Sequence, residues 1–247
     1  MDEKLGSSGP LVYTIQELLS AAVTINGLGL PLTTSGKFDK ATEDAVKAYQ
    51  SAVGLDKTGV VDSLTSTVLL RSVFDFELHP PQVVAQPVTR YHCWAASTSS
   101  WLDARTGKPK KSTQNLVDMM KKVPGALDPA NEGLFTLGWS NLAVRFGMGH
   151  DSFGGDKGRK LHQLTPTYLL AKLKRHGHLL MAYNLASGVA HTVVAYGLAI
   201  TYQADELVPV YSVKIMDPWP AAGQTGLRLR VLNEFKIGGA ALVLWPR

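Results

Sequence analysis

The chain has 247 residues, 45% of them hydrophobic and 18% charged, which excludes a disordered or fibrous polypeptide and leaves room for one large domain or two modest ones. Its formal charge of +5 is uneven: residues 10 to 73 carry 5 Lys/Arg against 6 Asp/Glu, whereas 74 to 247 carry 19 against 12. The single cysteine excludes a disulfide scaffold and a thiolate zinc cluster.

The basic second part fits an anionic partner or substrate such as a cell-wall polymer, nucleic acid or a lipid surface, or it is scattered solubility charge. Residues 1–9 read as a flexible leader: Met1-Asp2-Glu3-Lys4 is charged, lacks the apolar core of a signal peptide and runs into Gly6-Ser7-Ser8-Gly9. From residue 10 the pattern turns helical. Leu11, Ile15, Leu18, Leu19 and Ala22 recur at helix spacing, Asp39 opens a second helix and Asp62 a third with Leu64, Val68 and Leu69. Both aspartates suit N-caps, since a carboxylate accepts from free amides at the positive helix end. Ser35-Gly36-Lys37-Phe38-Asp39 is echoed 23 residues later by Thr58-Gly59-Val60-Val61-Asp62.

Ile15-Gln16-Glu17-Leu18-Leu19, Gly36-Lys37-Phe38-Asp39, Ala45-Val46-Lys47-Ala48-Tyr49-Gln50 and Gly59-Val60-Val61-Asp62 occur in an order that resembles the three-helix peptidoglycan-binding domain of cell-wall enzymes. The resemblance implies such a domain over residues 10–73. Ser35 stands where that family usually has aspartate.

Residues 74–85, with Pro80 and Pro81, read as a stiff extended linker, and a second domain fills 86–247. Helices are expected over Cys93 to Asp103, Thr113 to Lys122, Leu134 to Phe146 and Pro166 to His176. Strands are expected over Leu179 to Asn184, His191 to Ile200, Val210 to Met216, Leu227 to Asn233 and Ala240 to Trp245. Helices followed by strands define an α+β domain. The uncharged run from His176 to Ala204 is read as two strands around a Ser187-Gly188 turn and not as a membrane span, because Asn184, His191 and Thr192 interrupt it. Ser152 to Gly158 is Gly-rich without phosphate-loop spacing, hence a mobile loop.

Cys93 at a helix start is placed for thiolate chemistry, since helix-end amides favour the anion. A thiolate nucleophile needs a base, and the base needs an orienter. His191 opens an apolar, β-branched strand, and Asp217 closes the next one before Pro218. Gln86, seven residues before Cys93, would donate to an oxyanion beside the backbone N–H of Cys93, with Gln82 as the alternative donor. The bland readings are a buried structural cysteine, a satisfied histidine and a turn aspartate. No His-Glu-x-x-His motif supports a zinc peptidase, and no cofactor or metal is expected.

Gln86, Cys93-Trp94-Ala95-Ala96, His191-Thr192-Val193-Val194-Ala195-Tyr196-Gly197 and Met216-Asp217-Pro218 together resemble a compact papain-like cysteine peptidase of the bacterial effector and bacteriocin-exporter branch. The resemblance implies amide cleavage through a thioester, with Asp217 where papain has asparagine. The expectation is a cell-wall-targeted hydrolase cutting peptidoglycan stem peptides. It would be exported without a visible signal peptide, as an injected effector or a phage lysin, and face an immunity or inhibitor protein. No nucleic-acid partner is expected. The alternatives are a protease acting on polypeptides and an inert wall-binding protein.

Overall fold

In the computed structural model, which describes residues 2–25, 28, 32–86, 91–106, 111–154, 158–202, 209–219 and 226–247, the chain divides into two units. One comprises residues 1–75 with 202–209, the other residues 76–201 with 210–247.

The first unit is built on α1 (Pro10–Ile25), α2 (Lys40–Ala52) and α3 (Ser63–Phe74). Asp39 and Asp62 cap α2 and α3, accepting from Thr42 N–H at 2.9 Å and Thr65 N–H at 2.7 Å. The buried stripe of α1 is Val12, Ile15, Leu19 and Ala22. Leu11 and Leu64, expected in the core, are 51% and 59% exposed. In each case the position one residue on (Val12, Thr65) continues the helical stripe instead.

The sequence echo is a structural repeat organised by buried glutamines. Gln16 accepts from Gly36 N–H at 2.8 Å and donates to Lys37 O and Thr42 Oγ1, each at 2.9 Å. Gln50 does the same one motif later, accepting from Gly59 N–H at 2.9 Å and donating to Val60 O and Thr65 Oγ1. Gly36 and Gly59 both have positive φ, 71° and 74°, which glycine adopts without strain. The leader is not loose: Glu3 exchanges both backbone hydrogen bonds with Val61, and Phe38 N–H donates to Ser7 O.

The second unit holds α4 (Cys93–Thr106), α5 (Thr113–Lys121), α6 (Thr136–Arg145) and α7 (Pro166–His176). Its strands are β1 (Phe76–Glu77), β2 (Met148–Gly154), β3 (Leu179–Asn184), β4 (Ala190–Tyr202), β5 (Pro209–Met216), β6 (Leu227–Val231) and β7 (Ala240–Pro246). They form one seven-stranded sheet in the order β2-β7-β3-β4-β5-β6, with β1 on β4. Its recorded ladders are antiparallel, so the fold is mixed helix and antiparallel sheet. Helices do precede most of the strands, with two corrections. The stretch read as linker contributes β1, and half of the Gly-rich loop is β2, paired with β7 from Met148 to Gly154. Gly149, Asp151 and Gly154 weaken any strand signal there, and the ladder overrides it. Residues 155–157 of that loop lie outside the described residues.

The β3–β4 hairpin turns at Gly188, whose φ of 79° suits the closing hydrogen bond of its N–H to Leu185 O. Among the described residues no helix is long and apolar enough to cross a membrane. Trp94 and Trp101 of α4 anchor the core against Leu116, Leu142, Leu180 and Val194.

Candidate active site

Cys93 is the first residue of α4 and is buried, 6% exposed. The first N–H groups of a helix have no partner within it. The helix that carries it is rich in small hydroxyl residues yet buried, because each hydroxyl donates to a backbone carbonyl. Thr98 uses Trp94 O at 2.7 Å, Ser99 uses Lys111 O at 2.7 Å and Ser100 uses Gln82 O at 2.6 Å. Ser97 donates to Thr192 O at 2.8 Å. Ser97 lies one turn after Cys93 and Thr192 directly after His191, so this bond fixes the start of α4 against the start of β4.

The thiol itself lies 4.0 Å from Ala190 O, the residue before His191. Nε2 of His191 is bonded to Oδ1 of Asp217 at 2.9 Å, leaving Nδ1 for the thiol. Imidazole and carboxylate are 8% and 2% exposed. Tyr183, opposite His191 on β3, sets its ring edgewise to the imidazole at 5.9 Å. Burial opposes charge on His191, but its hydrogen bonds with Asp217 and Cys93 prevail and raise its pKa to about 9. Burial likewise works against charge on Asp217, yet bonding to His191, the Trp219 N–H and the nearby Arg228 hold its pKa below the ordinary carboxylate value.

Gln86 is 9% exposed, and its backbone N–H donates to Pro218 O at 2.9 Å, which seats it beside Asp217. Gln82, the alternative donor, is exposed. The start of α4, the start of β4 and the end of β5 thus bring Cys93, His191 and Asp217 into one region, and Gln86 is bonded through its backbone to Pro218, next to Asp217. The other histidines are occupied elsewhere or lie at the surface. His178 is bonded to His79 O, His176 packs on Trp245, and His150 and His162 are exposed.

Three residues not read from the sequence complete the surroundings. Arg228 and Arg230 approach Oδ2 of Asp217, each at 3.6 Å, on the side away from His191's bond. Glu132 sits in a turn with φ of 61°, the one non-glycine residue with positive φ among those described. Its carboxylate binds His92 Nε2 and, at 2.9 Å, Lys121 Nζ; these two partners lower its pKa to about 2. Its backbone carbonyl accepts from the Trp94 indole at 3.0 Å. A positive-φ glutamate flanked by Asn131 and Gly133 is a turn signal, but nothing local links it to Cys93.

A cavity of about 610 Å³ opens from Cys93 and Trp94. Its floor is one face of the sheet. Thr192, Ala182, Leu242 and Ser152 are successive ladder partners across β4, β3, β7 and β2, and all line it. Two residues along, Asn184 opposite Ala190 and Gly154 opposite Ala240 extend the floor. Leu134, Phe135 and Trp139 form the facing wall. Among the described residues no group of three or more His, Cys, Asp or Glu could hold a metal ion.

Residues 8–69 match the peptidoglycan binding domain family, which covers the N-terminal helical unit. No curated protein shows significant similarity to the chain. Among solved structures, it is similar to a fused Zn-dependent amidase/peptidase/peptidoglycan-binding domain-containing protein from Clostridium acetobutylicum, at 28% identity over 33% of this chain and 36% of that one, with a TM-score of 0.26. It is also similar to UfSP from C. elegans, at 11% identity over 64% of this chain and 30% of that one, with a TM-score of 0.41. The matches thus span about a third of each of those proteins.

Proposed function

We propose that the protein is a cell-wall-associated thiol hydrolase that cleaves an amide bond with Cys93 as nucleophile, His191 as base and Asp217 as orienter. The observation that carries this reading is the buried 2.9 Å bond between His191 and Asp217, with the thiol of Cys93 4.0 Å from the carbonyl of Ala190, the residue before His191. A buried imidazole held by a carboxylate next to a helix-start thiol is a costly arrangement in an apolar core, and nucleophilic catalysis explains all three groups together.

In this reading the Cys93 proton passes to Nδ1 of His191 and Sγ attacks the substrate carbonyl. The C–S bond forms while the carbonyl oxygen becomes an oxyanion, met by the Cys93 N–H and the Gln86 amide. His191 then protonates the leaving nitrogen, the C–N bond breaks and a thioester remains. Water, deprotonated by His191, attacks the thioester and releases acid and thiol. Asp217 keeps the imidazole in the tautomer this needs and stabilises its charged form. The N-terminal domain would hold the enzyme on peptidoglycan, so the local substrate concentration is high and the cleft itself needs little affinity. Stem-peptide amides of the wall are the substrate this tether favours, with polypeptides as the second reading.

The test is digestion of purified peptidoglycan by the full chain and by Cys93→Ala, with mass spectrometry of the products and a polypeptide substrate assayed in parallel. New amide cleavage by the wild type alone is expected. Equal products from both proteins would remove the catalytic assignment, whereas cutting of the polypeptide only would move the enzyme to the second reading. Co-sedimentation of Cys93→Ala with insoluble wall reads the tether separately.

A further inference from the structure

The cavity beside Cys93 is a trough with a direction. Its floor crosses four adjacent strands from β4, where Ala190 stands beside Cys93 of α4, to β2 at the sheet edge. Three interstrand steps of about 4.8 Å make it about 14 Å long, room for about four residues of extended peptide. The floor is mostly small side chains, which lets a backbone lie close, and the wall is aromatic.

Its charge is one-sided. Among the described residues that line it, Asp128 is the only charged one, and no lysine, arginine or histidine joins it. The chain as a whole is basic, so this acidic trough is not inherited from the bulk composition. One oxygen of Asp128 accepts from Ala130 N–H at 2.9 Å. No ion pair to its carboxylate is recorded among the described residues, and it stays half-buried. The neutral polar groups, Asn131, Asn184 and Ser152, can serve a peptide's amides but cannot neutralise a carboxylate. Among the described lining residues an anion placed here would find no counter-charge and would stand close to Asp128.

We propose that the trough selects an extended peptide segment free of carboxylates, and that Asp128 favours a basic side chain at one position of it. This rests on the reading of Cys93 as nucleophile only for its kinetic arm. It applies alike to a polypeptide and to a wall stem peptide whose free carboxyl groups are amidated.

The test uses full-length protein and internally quenched hexapeptides carrying Lys, Ala or Glu in turn at each position around the cut bond. Amidated and free-carboxylate stem peptides form a second arm. Binding of the same peptides to Cys93→Ala is measured by fluorescence anisotropy. Expected is a ranking of Lys over Ala over Glu at one position. The Lys-over-Ala ratio should be about two- to fivefold, as for one partly screened charge pair. Asp128→Asn should bring that ratio to about one, and Asp128→Lys should reverse it in favour of Glu. Amidated stem peptides should outrun free ones. Equal tolerance of Glu, a Lys preference that survives Asp128→Asn, or no binding of any peptide to Cys93→Ala would overturn the proposal. Peptides that bind Cys93→Ala with the expected ranking but are not cut by the wild type would sustain the trough and count against the nucleophile instead.

Discussion

Trp94 donates its indole N–H to the backbone carbonyl of Glu132 at 3.0 Å, while the carboxylate of the same residue holds His92. The residues on both sides of Cys93 are thus fastened to one turn, although 38 residues of chain separate Trp94 from it.

Glu132→Ala should loosen the start of α4 without touching the sulfur. Alkylation of Cys93 by iodoacetamide and amide turnover should both slow, turnover by about tenfold to 10²-fold, the scale expected when a reacting group shifts by a fraction of an ångström to one ångström. Glu132→Gln, which keeps a hydrogen-bond acceptor for His92, should recover part of the loss. Unchanged alkylation kinetics in Glu132→Ala would show that the turn does not position the thiol.

The His191–Asp217 bond makes stability and activity depend on alkaline pH. The folded pKa of His191, about 9, lies above its ordinary value of 6.5. Its contribution is therefore complete below 6.5 and is lost as pH rises through about 9. The melting temperature of the wild type should fall across that window, and that of His191→Gln should not follow it. In kcat/KM profiles the alkaline limb should sit near the same pH, and Asp217→Asn, which removes the carboxylate that favours the imidazolium, should move it lower.

Arg228 and Arg230 act on the opposite limb. Asp217 has a folded pKa below its ordinary value, so its contribution is present above the ordinary value and disappears as pH falls through the folded one. With both arginines replaced by methionine, Asp217 should protonate more readily. Acid unfolding followed by circular dichroism should then begin at a higher pH than in the wild type. Coincident acid transitions would mean that the arginines at 3.6 Å do not influence this carboxylate.

Gln16 and Gln50 should be equivalent under substitution. Gln50→Leu keeps most of the volume but leaves the Gly59 N–H and the Val60 carbonyl without their buried partner. Each orphaned group costs about 1–3 kcal/mol, so a loss of about 2–6 kcal/mol is expected from the first unit. Gln16→Leu should cost a similar amount through Gly36 and Lys37. Urea titration of the full chain, with wall co-sedimentation as the readout of the first unit, measures both. A midpoint within error of wild type for either variant would contradict the role assigned to the glutamine.

Local chemistry was legible where it repeats over short spacings. Caps at Asp39 and Asp62, the turn at Gly188 and the strand Leu179–Asn184 stand where their residues imply. Core faces were less legible: Leu11 and Leu64 lost their places because a helix buries one stripe, and its register depends on the helix it meets. Strand β2 was invisible for a related reason, since its residues carry little strand preference and only the ladder with β7 orders them.

By itself the sequence determined which groups could react: one thiol at a helix start, a histidine opening an apolar strand, and an aspartate at the end of another. These are properties of residue type and near neighbours, which local sequence encodes. That His191 bonds Asp217, that Ser97 ties the helix of Cys93 to Thr192, that Glu132 braces both neighbours of Cys93 and that Asp128 is the one charged residue among the described ones lining the trough were decided only by the tertiary structure. Each joins positions from different elements, and only the packing of the whole sheet against its helices brings such positions within the few ångströms over which hydrogen bonds and charges act.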